Sequence, residues 1–246
     1  ARTGVTSTTA TITGLTNGLV HSFRAYARNA VGLGASSNVV TAVPFTVPGA
    51  PASVIARAGD GSVVLSWSAP NSDGGSAVSS YLVERSTDGI VWTTVAGSVS
   101  GLGVTVTGLT NGQQYSFRVT ARNSAGLGTA SPTATATPTG TAASPTAFVA
   151  TAADGSVSLT WVAPTATGGS AVTAYMIEQS TDGGITWTTA IADTRSTTTS
   201  ATVTGLSNGI QVAFRVSAIT TNGIGLPSTI ATATPFGAAS APQSLV

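Results

Sequence analysis

"GLTNG" at Gly14–Gly18 returns unchanged at Gly108–Gly112 and, with one change, as "GLSNG" at Gly205–Gly209, 94 and then 97 residues further on. Self-similarity at a fixed period is the mark of a tandem array, in which each period is one structural unit. Other landmarks keep step with it. "DGSVVLSW" (Asp60–Trp67) returns as "DGSVSLTW" (Asp154–Trp161), "GGSAV" at Gly74 returns at Gly168, and "ERSTDGIVW" at Glu84 returns as "EQSTDGGITW" at Glu178. Working outward from these anchors, the chain divides into the back half of a repeat at 1–44, a linker at 45–50, a full repeat at 51–138, a linker at 139–144, a full repeat at 145–235, a linker at 236–241, and at 242–246 ("PQSLV") the opening of a further repeat. The expectation is a window on a longer array.

Between the landmarks, short runs alternate apolar and polar residues and are punctuated by Asn-Gly, Asp-Gly and Gly-Gly. That pattern predicts strands and tight turns, and a unit of roughly 100 residues built this way is a β-sandwich. In the middle repeat the strands are expected at 52–57, 62–68, 80–86, 92–96, 103–107, 114–123 and 131–137. Alternation in "YSFRVTAR" turns Tyr115, Phe117, Val119 and Ala121 inward and Ser116, Arg118, Thr120 and Arg122 outward.

Composition removes whole classes of chemistry. The chain of 246 residues has no cysteine, one histidine (His21) and one methionine (Met176), and its nine basic residues are all arginine. No thiolate or multi-histidine metal centre is available from that inventory. A net charge of +1 gives no electrostatic case for nucleic acid. No apolar run approaches the ~18 residues of a membrane span. Residues 1–50 hold three arginines and no acid, residues 51–138 four of each sign, and residues 145–235 two arginines against four acids. The basic start is what a repeat shows when its acidic front half is missing.

The residues resemble the fibronectin type III family over almost the whole chain. The resemblance is carried by a proline before the first strand (Pro51, Pro145, Pro242), a second-strand tryptophan (Trp67, Trp161), a mid-sheet tyrosine (Tyr81, Tyr175), the Gly-Leu-x-x-Gly stretch followed by aromatic-x-Phe-Arg, and the turn Asn123–Gly128. It implies an all-β fold: tandem immunoglobulin-like, seven-stranded β-sandwiches strung as a semi-rigid rod. It also implies a tyrosine corner at Tyr115, where the first and third repeats carry His21 and Val212 instead. Loss of that hydroxyl's hydrogen bond is expected to cost about 1 kcal/mol.

"STDGGITW" (Ser180–Trp187) also fits the S-x-D-x-G-x-T-W pattern of the Asp-box of sialidase propellers. An Asp-box is itself a hairpin turn that packs a tryptophan. The copy in the middle repeat is one residue shorter, and the period is that of a sandwich, so the segment reads as the hairpin between third and fourth strands.

Other candidate residues resolve the same way. His21 sits at an inward position with no partner for acid–base work and reads as a corner substitute. In the sheet order that the resemblance implies, Glu84 and Glu178 are expected to face Arg118 and Arg215 across neighbouring strands as ion pairs, and one glutamate per repeat leaves no carboxylate pair for glycoside hydrolysis. "NSDGGS" (Asn71–Ser76) resembles a calcium loop, but its counterpart carries Thr167 in place of Asp73, and a turn is the better reading. The sequence has no Arg-Gly-Asp and no N-x-S/T. No catalytic, cofactor-binding or metal residue is assigned, and no cofactor is expected.

The linker stretches "VPFTVPGAP" (Val43–Pro51) and "TPTGTAASP" (Thr137–Pro145) are short and proline-bounded, which limits hinge freedom. Weak coupling between neighbours is expected from them. The function implied is a non-catalytic spacer, stalk or fibre segment of a longer secreted or surface-exposed protein. Its partners are then neighbouring repeats and identical chains in a fibre, with neither nucleic acid nor a membrane span. The alternative is a binding module for a glycan or surface protein, such as an adhesin or an accessory carbohydrate-binding unit attached to an enzyme. Sugar platforms need exposed rings, and on the sixth strand only Tyr26 faces outward, where Thr120 and Ser217 stand in the other repeats.

Overall fold

Alternation in sequence becomes alternation of burial in the computed structural model, which describes residues 6–237. The expected opening of a further repeat at Pro242–Val246 lies outside the described residues. Within them every regular element is a strand. Packing divides the chain into two compact units: Ala1–Arg57, Val64–Thr105 and Tyr115–Thr135 form the first, and Ala58–Val63, Val106–Gln114 and Ala136–Val246 the second. The second unit therefore includes two turns from one end of the middle repeat together with the whole third repeat.

The first repeat contributes β1 (His21–Phe23), β2 (Tyr26–Arg28), β3 (Leu33–Ser36) and β4 (Val40–Ala42), with β1 paired to β4 and β2 to β3. Phe23 is half-buried, while Ala25 and Ala27 are exposed. No described strand before His21 covers that face.

In the middle repeat, β5 (Ala52–Gly59), β6 (Ser62–Ser68) and β9 (Gly103–Thr107) make a three-stranded sheet in the order β5-β6-β9. The facing sheet runs β11 (Gly126–Ala130), β10 (Tyr115–Asn123), β7 (Ser80–Ser86), β8 (Thr93–Val99), with β12 (Ala134–Ala136) also on β10. The third repeat repeats the plan. Its strands β13 (Thr146–Ala153), β14 (Ser156–Val162) and β17 (Ser200–Thr204) form one sheet, and β16 (Thr188–Ile191), β15 (Val172–Ser180), β18 (Val212–Thr220) and β19 (Gly223–Pro227) form the other, with β20 (Ala231–Ala233) on β18.

The last expected strand of the middle repeat, Ser131–Thr137, is not continuous: β11 ends at Ala130 and β12 starts at Ala134. Pro132 has no N–H to give a ladder. Beside it, Ser131 takes over both roles of a strand residue, its N–H donating to the Val119 carbonyl at 2.9 Å and its Oγ accepting from Val119 N–H at 3.0 Å. Ser228 does the same for Val216 in the third repeat. A second difference concerns Thr120 and Ser217. Both lie on the outward face yet are buried, because each sits on a central strand with neighbours on either side.

The cores follow the alternation. On β6 the side chains of Val63, Leu65 and Trp67 are buried, and on β10 those of Tyr115, Phe117, Val119 and Ala121. In the third repeat Val157, Leu159, Trp161, Tyr175, Ile177, Phe214 and Val216 belong to one buried cluster. Trp161 packs edge-on against Tyr175 with ring centroids 4.9 Å apart, and Trp67 against Tyr81 at 5.4 Å. Each tryptophan is about 95% buried, at 5% exposure for Trp67 and 4% for Trp161. Truncating such a ring leaves a cavity that the two sheets cannot close. Trp67→Ala and Trp161→Ala are each expected to cost about 3–5 kcal/mol of the stability of their own repeat, measured by urea unfolding of the full chain. An unmoved midpoint would show that these rings are not what the sandwich is built around.

Candidate functional site

The outer face of each large sheet carries one repeated constellation. Register places Arg118 opposite Glu84 and Arg215 opposite Glu178. Each arginine meets its carboxylate with two nitrogens, at 2.8 and 3.2 Å for Arg118 and at 2.7 and 3.0 Å for Arg215. The guanidinium plane then lies over an indole, Trp92 or Trp187, 4.3 Å from the ring centroid in both repeats. The sequence had Trp92 opening the fourth strand, but that strand starts at Thr93 and the ring is held by the arginine. In the first repeat the equivalent Arg24 lies over Tyr26, which remains exposed, at 5.4 Å. A ring covered on one face by its own arginine offers a poor stacking platform to a sugar.

The Asp-box stretch closes on itself. Ser180 Oγ donates to Asp182 Oδ1 at 2.6 Å and accepts from Gly184 N–H at 2.8 Å. Asp182 also accepts from the N–H groups of Ile185 and Thr186 and from the Thr186 hydroxyl. Trp187 Nε1 donates to the Gly184 carbonyl at 3.0 Å, which orients the ring toward Arg215. With the Ser180 hydroxyl first and the Thr186 donors next, these bonds hold the Asp182 carboxyl far below the usual carboxylate range. Asp88 is lowered in the same way by the N–H groups of Ile90 and Val91 and by Ser86. The aspartate is a turn cap whose lone pairs are already taken.

The remaining candidates are also occupied by their own backbone. Asp73 Oδ1 accepts from Gly75 N–H at 2.8 Å. His21 Nε2 donates to the Thr16 carbonyl at 3.1 Å, so the imidazole supplies the kind of backbone bond expected of a corner tyrosine. At the corner of the third repeat, Val212 packs into the apolar cluster.

The sequence marked the turn at Asn123 and the linkers, but not the bonds that join them. Asn123 Nδ2 donates to the carbonyls of Thr46 and Asp73 at 2.8 and 2.7 Å, fastening the linker to the Gly-Gly turn at Gly74. The third repeat lacks an asparagine at the equivalent position. Asn222 reaches instead to the carbonyls of Gly140 and Gly168, both at 3.0 Å. The linkers themselves are not free loops. Pro48 and Ala142 are buried, Gly49 N–H donates to the Ser72 carbonyl and Ala143 N–H to that of Ala166. The only signal available in the sequence was the nearness of an asparagine to each Gly-x-Gly.

Two-sheet sandwiches with a buried second-strand tryptophan and an ion-paired outer face define an immunoglobulin-like β-module. The model of the fibronectin type III domain matches residues 49–137 and 143–234, and the chain belongs to that family. Myomesin-2 of Homo sapiens is 32% identical over 229 residues, covering 87% of this chain and 16% of that protein. Chitinase A1 of Niallia circulans is 37% identical over 133 residues, with 50% and 18% covered. Exoglucanase B of Cellulomonas fimi is 35% identical over 207 residues, with 77% and 18% covered. The chain thus spans less than a fifth of the length of each of these relatives.

Two outcomes follow from this geometry. A carboxyl whose pKa is lowered by folding contributes stability above its unfolded pKa and loses it as pH falls through the folded one. Asp182 and Asp88 are therefore expected to stay ionised below pH 3.8, their ordinary value, and the amides of Ile185, Thr186, Ile90 and Val91 to shift only in stronger acid. NMR titration of these carboxyls decides it, and ordinary midpoints would mean the caps are not formed in solution. Separately, a double-mutant cycle of Trp187→Ala with Arg215→Ala is expected to give a coupling of about 0.5–1 kcal/mol. A coupling of zero would reduce the stack to proximity.

Proposed function

We propose that this chain is a segment of a structural spacer, a stalk or fibre made of fibronectin type III repeats in an extracellular or cell-surface protein, and that it does no chemistry itself. The observation that carries this reading is the fate of its acids. All eight carboxylates accept hydrogen bonds from their own chain: Asp60 and Asp154 from Asn111 and Asn208, Asp73, Asp88, Asp182 and Asp193 from turn amides, and Glu84 and Glu178 from arginines. A general acid or base needs a carboxylate directed at a substrate, and these are directed at turns. The fastening of each linker to the Gly-Gly turn beyond it supports a stiff string of repeats.

A second reading, an accessory binding unit of a polysaccharide-cleaving enzyme, is favoured by the likeness to Chitinase A1 and Exoglucanase B and by the exposed Tyr26. The same two relatives support the placement outside the cell. Under either reading the partners are neighbouring repeats, identical chains, or a glycan or surface protein.

Small-angle scattering of the full chain, run beside retention on insoluble chitin and cellulose, separates the two. The spacer reading expects an elongated particle that gains about 30–35 Å for each complete repeat, the length of strands of about nine residues, with no retention on either polymer. Retention that Tyr26→Ala removes would move the assignment to the binding unit. A globular particle with no retention would sink both.

A further inference from the structure

The glycine at the tip of each repeat has one backbone in all three copies. Its φ is 79° at Gly18, 83° at Gly112 and 83° at Gly209, the left-handed region that other residues avoid. Its N–H donates to the carbonyl of Pro44, Pro138 or Pro235, at 2.9, 2.9 and 2.8 Å. In the second and third copies the asparagine before it is fixed by its own repeat. Asn111 accepts from Gly61 N–H and donates to Asp60, and Asn208 does the same with Gly155 and Asp154. The tip is thus built without help from any neighbour.

Two of the three tips are covered. A Cβ on Gly18 would stand 3.1 Å from the Cα of Gly75, and one on Gly112 would stand 2.9 Å from the Cα of Gly169. Gly75 and Gly169 are the second glycines of the two "GGSAV" turns, with φ of 88° and 85°. The first glycines take part as well, since the Gly74 carbonyl accepts from Thr46 N–H at 2.8 Å and the Gly168 carbonyl from Gly140 N–H at 2.9 Å. Backbone lies on backbone at each of these seats, so only a glycine in the left-handed region fits. At Gly209 a Cβ would meet nothing within 4 Å among the described residues.

We infer that the turn Leu206–Ile210 is a docking surface whose partner is the Gly-Gly turn of one more repeat of this kind, with Gly209 as the floor of the seat and the Gly237 N–H as the donor to the first glycine of that turn. Gly237 occupies the place of Gly140. A Cβ on Gly237 would lie 2.9 Å from Asn208 Nδ2, and one on Gly140 2.8 Å from Asn111 Nδ2. Pro242 follows Gly237 by five residues, as Pro145 follows Gly140 and Pro51 follows Thr46. The apolar Phe236 beside the seat is 61% exposed. A generic protein partner is disfavoured because any residue bearing a Cβ is excluded from the contact. A second copy of this chain is disfavoured because its two "GGSAV" turns are already seated on Gly18 and Gly112, and in its third Gly-Gly pair, Gly183–Gly184, Gly184 packs against Ile230 and Trp187 of its own repeat. The inference stands whether the array spaces or binds.

The test compares the full chain with the same chain extended after residue 237 by a copy of residues 141–237, which keeps the five-residue step from Gly237 to the next proline, reading amide hydrogen exchange at Gly237. Exchange is expected to slow by about tenfold or more on extension. Gly209→Ala should abolish that slowing while leaving exchange at Gly237 unchanged in the unextended chain, where only the strain at φ of 83° is felt. A folded extension, seen from the added tryptophans, with no slowing at Gly237 would overturn the proposal. Should the extension not fold, the natural seat decides. Gly112→Ala in the unextended chain is expected to speed exchange at Gly140 about tenfold, and unchanged exchange there would equally overturn it. Self-association of the unextended chain in sedimentation velocity, removed by Gly209→Ala, would assign the surface to a second copy instead.

Discussion

The antiparallel register of β10 on β7, and of β18 on β15, is the constraint on which both faces of each sandwich depend. It sets Phe117 opposite Arg85 and Arg118 opposite Glu84, and in the third repeat Phe214 opposite Gln179 and Arg215 opposite Glu178. A slip of one residue would turn Phe117 to solvent and drive Arg118 into the core. The inner face resists that slip through burial of apolar area. The outer face resists it through a two-point ion pair that also seats an indole. An exposed ion pair alone contributes little, but here it is coupled to a ring anchored by the next hairpin. Core, sheet and hairpin thereby require one and the same pairing, which is the consistency that gives a single native state.

A division of labour at the repeat tips extends that order from one repeat to the next. Asn111 and Asn208 spend their amide groups inside their own repeats, closing the tip by bonding to the turn at Gly61 or Gly155. The neighbouring glycine is left bare. A bare Cα in a rigid frame is a good contact surface, because no side-chain rotamer has to be frozen when another backbone is laid on it. The low charge of the chain fits the same logic. Each of the eight acids already accepts a hydrogen bond from its own chain, so backbone shape rather than a free carboxylate defines the contact.

Strand alternation, period and turn chemistry made the sandwich legible in the sequence, and the ion pairs Glu84–Arg118 and Glu178–Arg215 followed from strand order. Features set by local competition were not legible. The break at Ser131–Thr133 depends on a serine side chain replacing a ladder bond, which an alternation pattern does not register. The burial of Thr120 and Ser217 reflects crowding on a central strand rather than the side to which they point. The tryptophan stacks needed the loop geometry that brings Trp92 and Trp187 back over the sheet, and residue spacing alone carries no such information. Asn222 was invisible for another reason: it does the work of Asn123 from a different position, so a search for the repeated residue passes over it.

The linkers carry contacts that composition does not register. Proline-bounded stretches suggested restraint by the prolines and weak coupling across them, as if the linker were a short stiff string. In the structure the restraint comes from close approach. A Cβ on Gly128 would collide with the Pro48 carbonyl, and one on Gly225 would stand 2.6 Å from that of Ala142. Pro48 and Ala142 are buried, and Asn123 and Asn222 fasten the carbonyls beside them. Sensitivity to substitution is thereby inverted relative to the usual order for surface turns. Glycines that look like mere punctuation in the sequence, Gly74, Gly75, Gly128, Gly168 and Gly169, are held by backbone contacts that admit no side chain.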